Sequence, residues 1–366
     1  MDAVPPRTGV AATRPRLRLA AFAAVMFVAI FGVGEFSRWV LAESWWAIDL
    51  DLVLDAGARL VAGQPLYADP RFLYPPLAAV LAVPLLAVDP FLVSLAYLGF
   101  KVGLALVAVA WLTRGWRPGD RVLAALALCL SLPFLHDAML GNANAILVAA
   151  IAMAAFGRPS PGSGIALGIA AAVFAKPLLI PIGLWLLVYR RPALVGTVAA
   201  GLAATGAGIL LAGPAAYVAW VGALVAGGRF ATPFAGNHGI TAIAPDLWLP
   251  IAAVVAVSYL AVLWRRGEGT GLAWAATVGI LIAPYAGTYS ALPIAVAIPW
   301  LGAVSAPFAI AIVALSPIAT GYALPLYAGA ILVGVLLLRP DGPALPRRVL
   351  RPATEPPADQ PVAAPA

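Results

Sequence analysis

The chain has 366 residues, of which 63% are apolar and only 10% charged, with a formal net charge of +7. A soluble domain carries about 25% charged and about 45–50% apolar residues. The composition therefore excludes a soluble globular enzyme and a disordered chain, and leaves an all-α, polytopic membrane protein with one hydrophobic body.

In chain order, residues 1–18 read as a cytoplasmic basic tail carrying Arg7, Arg14, Arg16 and Arg18. An apolar stretch from Leu19 follows. It resembles a signal peptide but runs on into Trp39 and Val40 without a small-residue cleavage pattern, so it reads as a retained first crossing. Basic residues then recur in short clusters: Arg114, Arg117 and Arg121; Arg158; Arg190 and Arg191; Arg265 and Arg266; and Arg339, Arg347, Arg348 and Arg351. The positive-inside rule puts all of these on the cytoplasmic side. Asp49, Asp51, Asp55, Asp69, Asp137 and Asp246 then fall at the opposite ends of the crossings, in a plasma-membrane protein with both termini inside. Residues 19–338 form the transmembrane domain, with outer loops 42–75 and 213–246. Residues 339–366, rich in Pro and Ala, form a disordered cytoplasmic tail.

The outer loop 42–75 begins with Trp45 and Trp46, which suit a bilayer interface. The pattern from Asp49 to Ala62 is helical, and Gly63 is a natural stop. At about 100° per residue, Asp51, Asp55 and Arg59 share one narrow polar face, as expected of an amphipathic helix on the outer surface. Asp49 falls outside that face, in the apolar sector with Val53, Ala56 and Leu60. A carboxylate directed toward membrane-buried protein is costly. Two readings stand: a helix N-cap, or a general base that takes the proton from an attacking sugar hydroxyl. A phosphate leaving group needs little acid assistance, so one carboxylate suffices, whereas glycoside hydrolysis ordinarily needs two.

The run Pro75 to Val88 is short for a full span of about 20 residues and reads as re-entrant or interfacial. Lys101, inside the 91–113 crossing, is expected in an internal ion pair. His136, Asp137, Asn142 and Asn144 form a polar cluster at an outer hairpin, suited either to helix capping or to binding sugar hydroxyls. No H-x-x-x-H spacing or carboxylate cluster supports a metal, and no cofactor is expected. The segment Gly164 to Tyr189 is broken at Lys176-Pro177. An intramembrane lysine beside a broken helix suits either the phosphate of a lipid-linked donor or an internal or snorkelling pairing. This segmentation gives about 12 crossings. In the loop 213–246, Tyr217 and Trp220 sit among Arg229, Asn237 and His238, suiting either sugar faces and headgroups or an interfacial loop of aromatic anchors; Arg229 suits bidentate phosphate contact. Tyr285 and Tyr289 flank a Gly-rich break and either line a cavity or end a helix. No phosphate-binding G-x-x-x-x-G-K-[ST] loop occurs. The cytosolic segments are too short to house a soluble nucleotide-sugar donor, which favours a donor delivered within the membrane.

Several stretches together resemble glycosyltransferase family 87. They are Asp49-Leu50-Asp51 with Asp55-Ala56, Gly63-Gln64-Pro65-Leu66-Tyr67, and Phe72-Leu73-Tyr74-Pro75-Pro76-Leu77. Further on come Leu140-Gly141-Asn142-Ala143-Asn144, Ala175-Lys176-Pro177 ahead of Tyr189-Arg190-Arg191, and Gly236-Asn237-His238-Gly239-Ile240. The likeness runs over about residues 15–340 in matching order. The sequence departs from the family's pattern at Val53 (Tyr in the family), Asn142 (Gln) and Gly239 (Ser). The resemblance implies a GT-C-like fold and inverting transfer of a sugar from a polyprenyl-phosphate donor, typically mannose or arabinofuranose, to an outer-face glycolipid or polysaccharide. It implies Asp49 as the base, while Lys176 and Arg229 stand as phosphate contacts on their own chemistry. Asp51, Tyr74, His136, Asn142, Asn144, Asn237 and His238 are read as the sugar- or acceptor-binding set. The partners are that donor, that acceptor and membrane lipids, with no nucleic acid. A transporter or flippase of a lipid-linked saccharide would share the broken helices and buried lysine but predicts half-sequence symmetry, and no repeat is detectable. A structural subunit of a cell-envelope complex would leave Asp49 dispensable.

Overall fold

With 34 prolines and 35 glycines, an apolar sequence is cut into many helices rather than a few long ones. The computed structural model describes residues 15–41, 47–227, 237–321 and 323–338. Trp45, Trp46, Arg229 and the tails 1–14 and 339–366 lie outside the described residues.

The first half holds α1 (Pro15–Leu41), α2 (Ile48–Val61), α3 (Pro76–Ala82), α4 (Pro90–Leu112), α5 (Pro118–Cys129), α6 (Leu132–Leu140) and α7 (Asn144–Phe156). The second holds α8 (Ile165–Phe174), α9 (Leu179–Tyr189), α10 (Arg191–Ala212), α11 (Pro214–Gly227), α12 (Ile240–Ile243), α13 (Trp248–Arg265) and α14 (Glu268–Ile282). A 3-10 segment (Thr288–Ala297) then precedes α15 (Ile298–Val304), α16 (Ala306–Leu315) and α17 (Ala323–Leu337). Among the described residues there is no strand. Proline opens many of these helices, including α3, α4 and α5, because its missing N–H is no loss in a first turn. The Asp89 side chain caps α4 by accepting from the N–H groups of Phe91 and Leu92, and Ser131 caps α6 by accepting from Phe134 N.

Four helical stretches are long and apolar enough to cross a membrane: Pro15–Arg38, Pro90–Leu112, Arg191–Ala212 and Pro245–Arg265. The α5–α6 pair, bent by 51°, would make a fifth. The expectation of about 12 crossings is not reached on this count, because the other apolar helices are only 10–17 residues long. The segment 76–87 is short, as expected, and the break between α8 and α9 lies at residues 175–178.

No more than a third of each long helix's apolar window is buried, and large side chains such as Leu202, Leu210, Val254 and Trp264 are exposed. Apolar surface on that scale is covered by partners or lipid, not water; the chain is a membrane protein. Inside this sheath, α14 is buried from Gly269 to Leu281 and α7 is buried along most of its length. Helices apolar on every side belong at the centre. Backbones touch where α8 meets α10. A side chain added at Gly168 would come within 2.2 Å of the Thr197 carbonyl oxygen, and one at Gly164 within 1.9 Å of that of Ala193. Small residues let helices approach this closely in a membrane. The contact anchors α8, whose last turn delivers Lys176.

Candidate active site

The start of α2 is pinned against the end of α6. The Ala47 N–H donates to the Met139 carbonyl at 2.6 Å, with Ala47 itself in the left-handed region at φ 59°. Gly141 turns the chain at φ +72°, and a side chain there would strike Leu50 Cβ at 2.7 Å. Only glycine combines this conformation with this approach. The N-cap of α2 is Ala47 and no side chain caps it, so the capping reading of Asp49 gives way to another. The half-buried Asp49 reaches across to the 141–144 turn, where its Oδ2 accepts from Asn142 Nδ2 at 2.5 Å. Asp51 and Asp55 face outward and are exposed.

The same amide meets a lysine on its other side. Lys176 Nζ donates to Asn142 Oδ1 at 2.5 Å and lies 5.3 Å from the centre of the Tyr289 ring. Ala175, at φ 38°, ends α8 in the left-handed region, and Pro177 prevents the helix from resuming at once. Strained non-glycine residues cluster where structure is held for function; Ala47 and Ala175 flank the two charged members of this group.

Below the turn lies a wholly buried ion pair, Lys101 Nζ to Asp137 Oδ2 at 2.8 Å. The ammonium also donates to the Asp137 carbonyl. The Asp137 carboxylate in turn accepts from the N–H groups of Asn144 (2.9 Å) and Ala145 (3.3 Å) at the head of α7. Both expectations for these residues, an internal ion pair and hairpin capping, are met by one arrangement. The Asn144 side chain donates to Asn142 Oδ1 at 3.2 Å. The Tyr97 hydroxyl donates to the Asn142 carbonyl at 3.3 Å, and its ring lies 5.2 Å from the Lys101 ammonium. Sequence reasoning passed over Tyr97. Its spacing of four from Lys101 along α4 was the available signal, since such residues share a helix face.

The remaining residues approach from three sides. The Tyr74 ring packs edge-on to Phe174 at 5.9 Å, next to the Lys176 break. The His136 ring meets Tyr289 edge-on at 5.6 Å. His238 is held by its N–H on the Ala286 carbonyl (2.6 Å) and by a contact of Nδ1 with Thr288 Oγ1 (3.2 Å). Asn237 is tied into its own loop. Its Oδ1 accepts from Gly239 N (2.9 Å) and Ala286 N (3.2 Å), and its Nδ2 donates to Thr241 Oγ1 (2.8 Å). Arg229 lies outside the described residues.

Burial pushes the Asp49 carboxyl above the usual aspartate range, against the opposing pull of Lys176 and the Asn142 hydrogen bond. Burial, reinforced by the Asp49 charge, raises the Tyr74 phenol, and burial lowers the His238 imidazole. A desolvated carboxylate is a stronger base than one in water. It sits one amide away from a cation able to hold a phosphate. Among the described residues, no group of three or more His, Cys, Asp or Glu could hold a metal ion.

Glycosyltransferase family 87 matches the chain over residues 72–340. The match begins after Asp49 and takes in Tyr74, Asn142, Lys176 and His238. No curated protein and no solved structure matches the chain.

Proposed function

The chain belongs to glycosyltransferase family 87 and is a membrane glycosyltransferase; from that premise we propose that it moves a sugar, mannose or a similar residue, from a polyprenyl phosphate to a glycolipid or polysaccharide on the outer face of the plasma membrane. Asp49 takes the proton from the acceptor hydroxyl as that oxygen attacks the anomeric carbon. The new carbon–oxygen bond forms as the bond from that carbon to the phosphate oxygen breaks. The configuration inverts, and the electron pair leaves with the polyprenyl phosphate. Lys176 holds the departing phosphate as a compact charge, with Arg229 as a second contact. Tyr74, Asp51, His136, Asn144, Asn237 and His238 orient sugar or acceptor, and Asn237 acts by fixing the loop that carries His238.

One observation carries this reading: Asp49 and Lys176, far apart in sequence, meet through the single side chain of Asn142. An inverting displacement needs the base and the phosphate-binding cation within reach of one anomeric carbon, on opposite sides of it. The test uses membranes holding the full chain, with labelled polyprenyl-phosphate mannose and, in parallel, the arabinose donor. Asp49→Asn is expected to lose roughly 10²–10⁴-fold in turnover with donor binding retained. Full activity in that variant overturns the assignment.

A further inference from the structure

Asn142 stands between the two charges of the site rather than at its rim. Its side chain is almost wholly buried, its nitrogen donates to Asp49, and its oxygen accepts from Lys176. That oxygen also accepts from Ala143 N at 2.7 Å and from the Asn144 side chain at 3.2 Å. A carbonyl oxygen has two lone pairs, so this acceptor is saturated and has none to offer a sugar hydroxyl. Asp49 and Lys176 do not pair directly: the four ion pairs among the described residues join other side chains.

We propose that Asn142 is a positioning residue for the transfer step, an uncharged spacer that holds the base and the phosphate-binding cation in register while keeping them apart. The inference rests on the reading of Asp49 as the base. A carboxylate and an ammonium free to close on each other form a salt bridge. That bridge would occupy the lone pairs needed by the acceptor hydroxyl and the protons needed by the phosphate. A primary amide prevents the collapse because it presents a donor on one arm and an acceptor on the other. It engages only Oδ2 of Asp49 and leaves Oδ1 for the acceptor. The turn that presents the amide is fixed from beneath. Tyr97 holds its carbonyl, and Asp137, neutralised by Lys101, holds the N–H groups that follow. A site built this way keeps its geometry before substrate arrives, which is what electrostatic preorganisation requires.

The experiment compares Asn142→Ala, Asn142→Gln and Asn142→Asp in the full chain, using labelled polyprenyl-phosphate mannose and native membranes as the source of acceptor. Turnover, donor KM, the acidic limb of the pH profile and thermal stability are measured, with Asp49→Asn as a control. The titratable groups facing Asp49 are Lys176, Lys101 and Asp137, with the hydroxyls of Tyr74, Tyr97, Tyr285 and Tyr289. None of these is altered in the three variants. Asn142→Ala is expected to lose about 10²-fold in kcat, the scale of a misplaced reacting group, with donor KM little changed. Asn142→Gln keeps both arms of the amide and is expected to recover most of that loss. Asn142→Asp is expected to move the acidic limb upward, because an anion replaces a hydrogen-bond donor beside the base.

A rise in KM with kcat retained would make Asn142 a sugar contact and overturn the proposal. Equal losses in the Gln and Ala variants, with an unshifted acidic limb in Asn142→Asp, would reduce Asn142 to a packing role and overturn it as well. If Asp49→Asn is inactive while Asn142→Ala turns over normally, only this inference fails. If Asp49→Asn is fully active, the reading beneath it fails too.

Discussion

Asp49 carries its carboxyl in surroundings that disfavour the charged form, and that has a measurable consequence. Burial raises its carboxyl, outweighing Lys176 and the Asn142 hydrogen bond. Only the deprotonated form accepts a proton, and a raised pKa means that form is lost sooner on acidification. The acidic limb of kcat/KM is therefore expected above the usual aspartate range, and a limb at or below that range would contradict the assignment. Lys101 and Asp137 make a second prediction. Both are fully buried and paired at 2.8 Å, so removing one leaves an uncompensated charge. Lys101→Met is expected to cost roughly 3–5 kcal/mol, and adding Asp137→Leu should return part of that; thermal unfolding in detergent measures both. Much of this was legible in the residues. Asp49 was conspicuous because it broke the polar face of its own helix, and Lys176 because it stood in an apolar segment beside a proline. The role of Asn142 was not legible, because an asparagine at a hairpin suits capping, sugar binding and bridging equally, and only the fold brings 49 and 176 to it. The loop-holding contacts of the Asn237 amide were not legible either, because its place beside His238 suits sugar contact equally well.

Helices in this protein are set by where proline and glycine interrupt an apolar background, and those interruptions were the most readable part of the chain. The break at Lys176-Pro177, the short segment 76–87 and the stop at Gly63 all follow from them. The number of crossings did not follow, since apolar runs cut into pieces of 10–17 residues give periodicity no length to work with. Close helix contact was also hidden. Nothing in the periodicity of α8 indicates that Gly168 meets the backbone of α10. A leucine at that position has no room, with a carbonyl oxygen 2.2 Å from where its Cβ must go. Gly168→Leu is expected to lower stability by at least about 1–3 kcal/mol, the usual range for overpacking. It should also lower turnover by displacing the end of α8. A variant with unchanged thermal stability and activity would show that α8 and α10 are not held together as described.

The whole molecule is a core of short helices inside longer ones whose outer faces remain apolar. Its expected orientation in the bilayer rests on charge placement, which gives a further prediction. Ala68 lies shortly after α2, and Gly162 lies in the 3-10 turn after Arg158; both are exposed. In a Cys129→Ser background, Ala68→Cys is expected to react with an impermeant maleimide on intact cells. Gly162→Cys should react only after permeabilisation, and the reverse pattern would invert the topology. The joining of Asp49 to Asn142 and of Lys176 to Asn142 spans sequence separations of 93 and 34 residues. This has a consequence for biogenesis. As the ribosome feeds the chain into the bilayer, the carboxylate emerges early and waits, first for the amide and then for the lysine. On the roles proposed for Asp49 and Lys176, a nascent chain stalled before residue 176 is expected to be inert in sugar transfer.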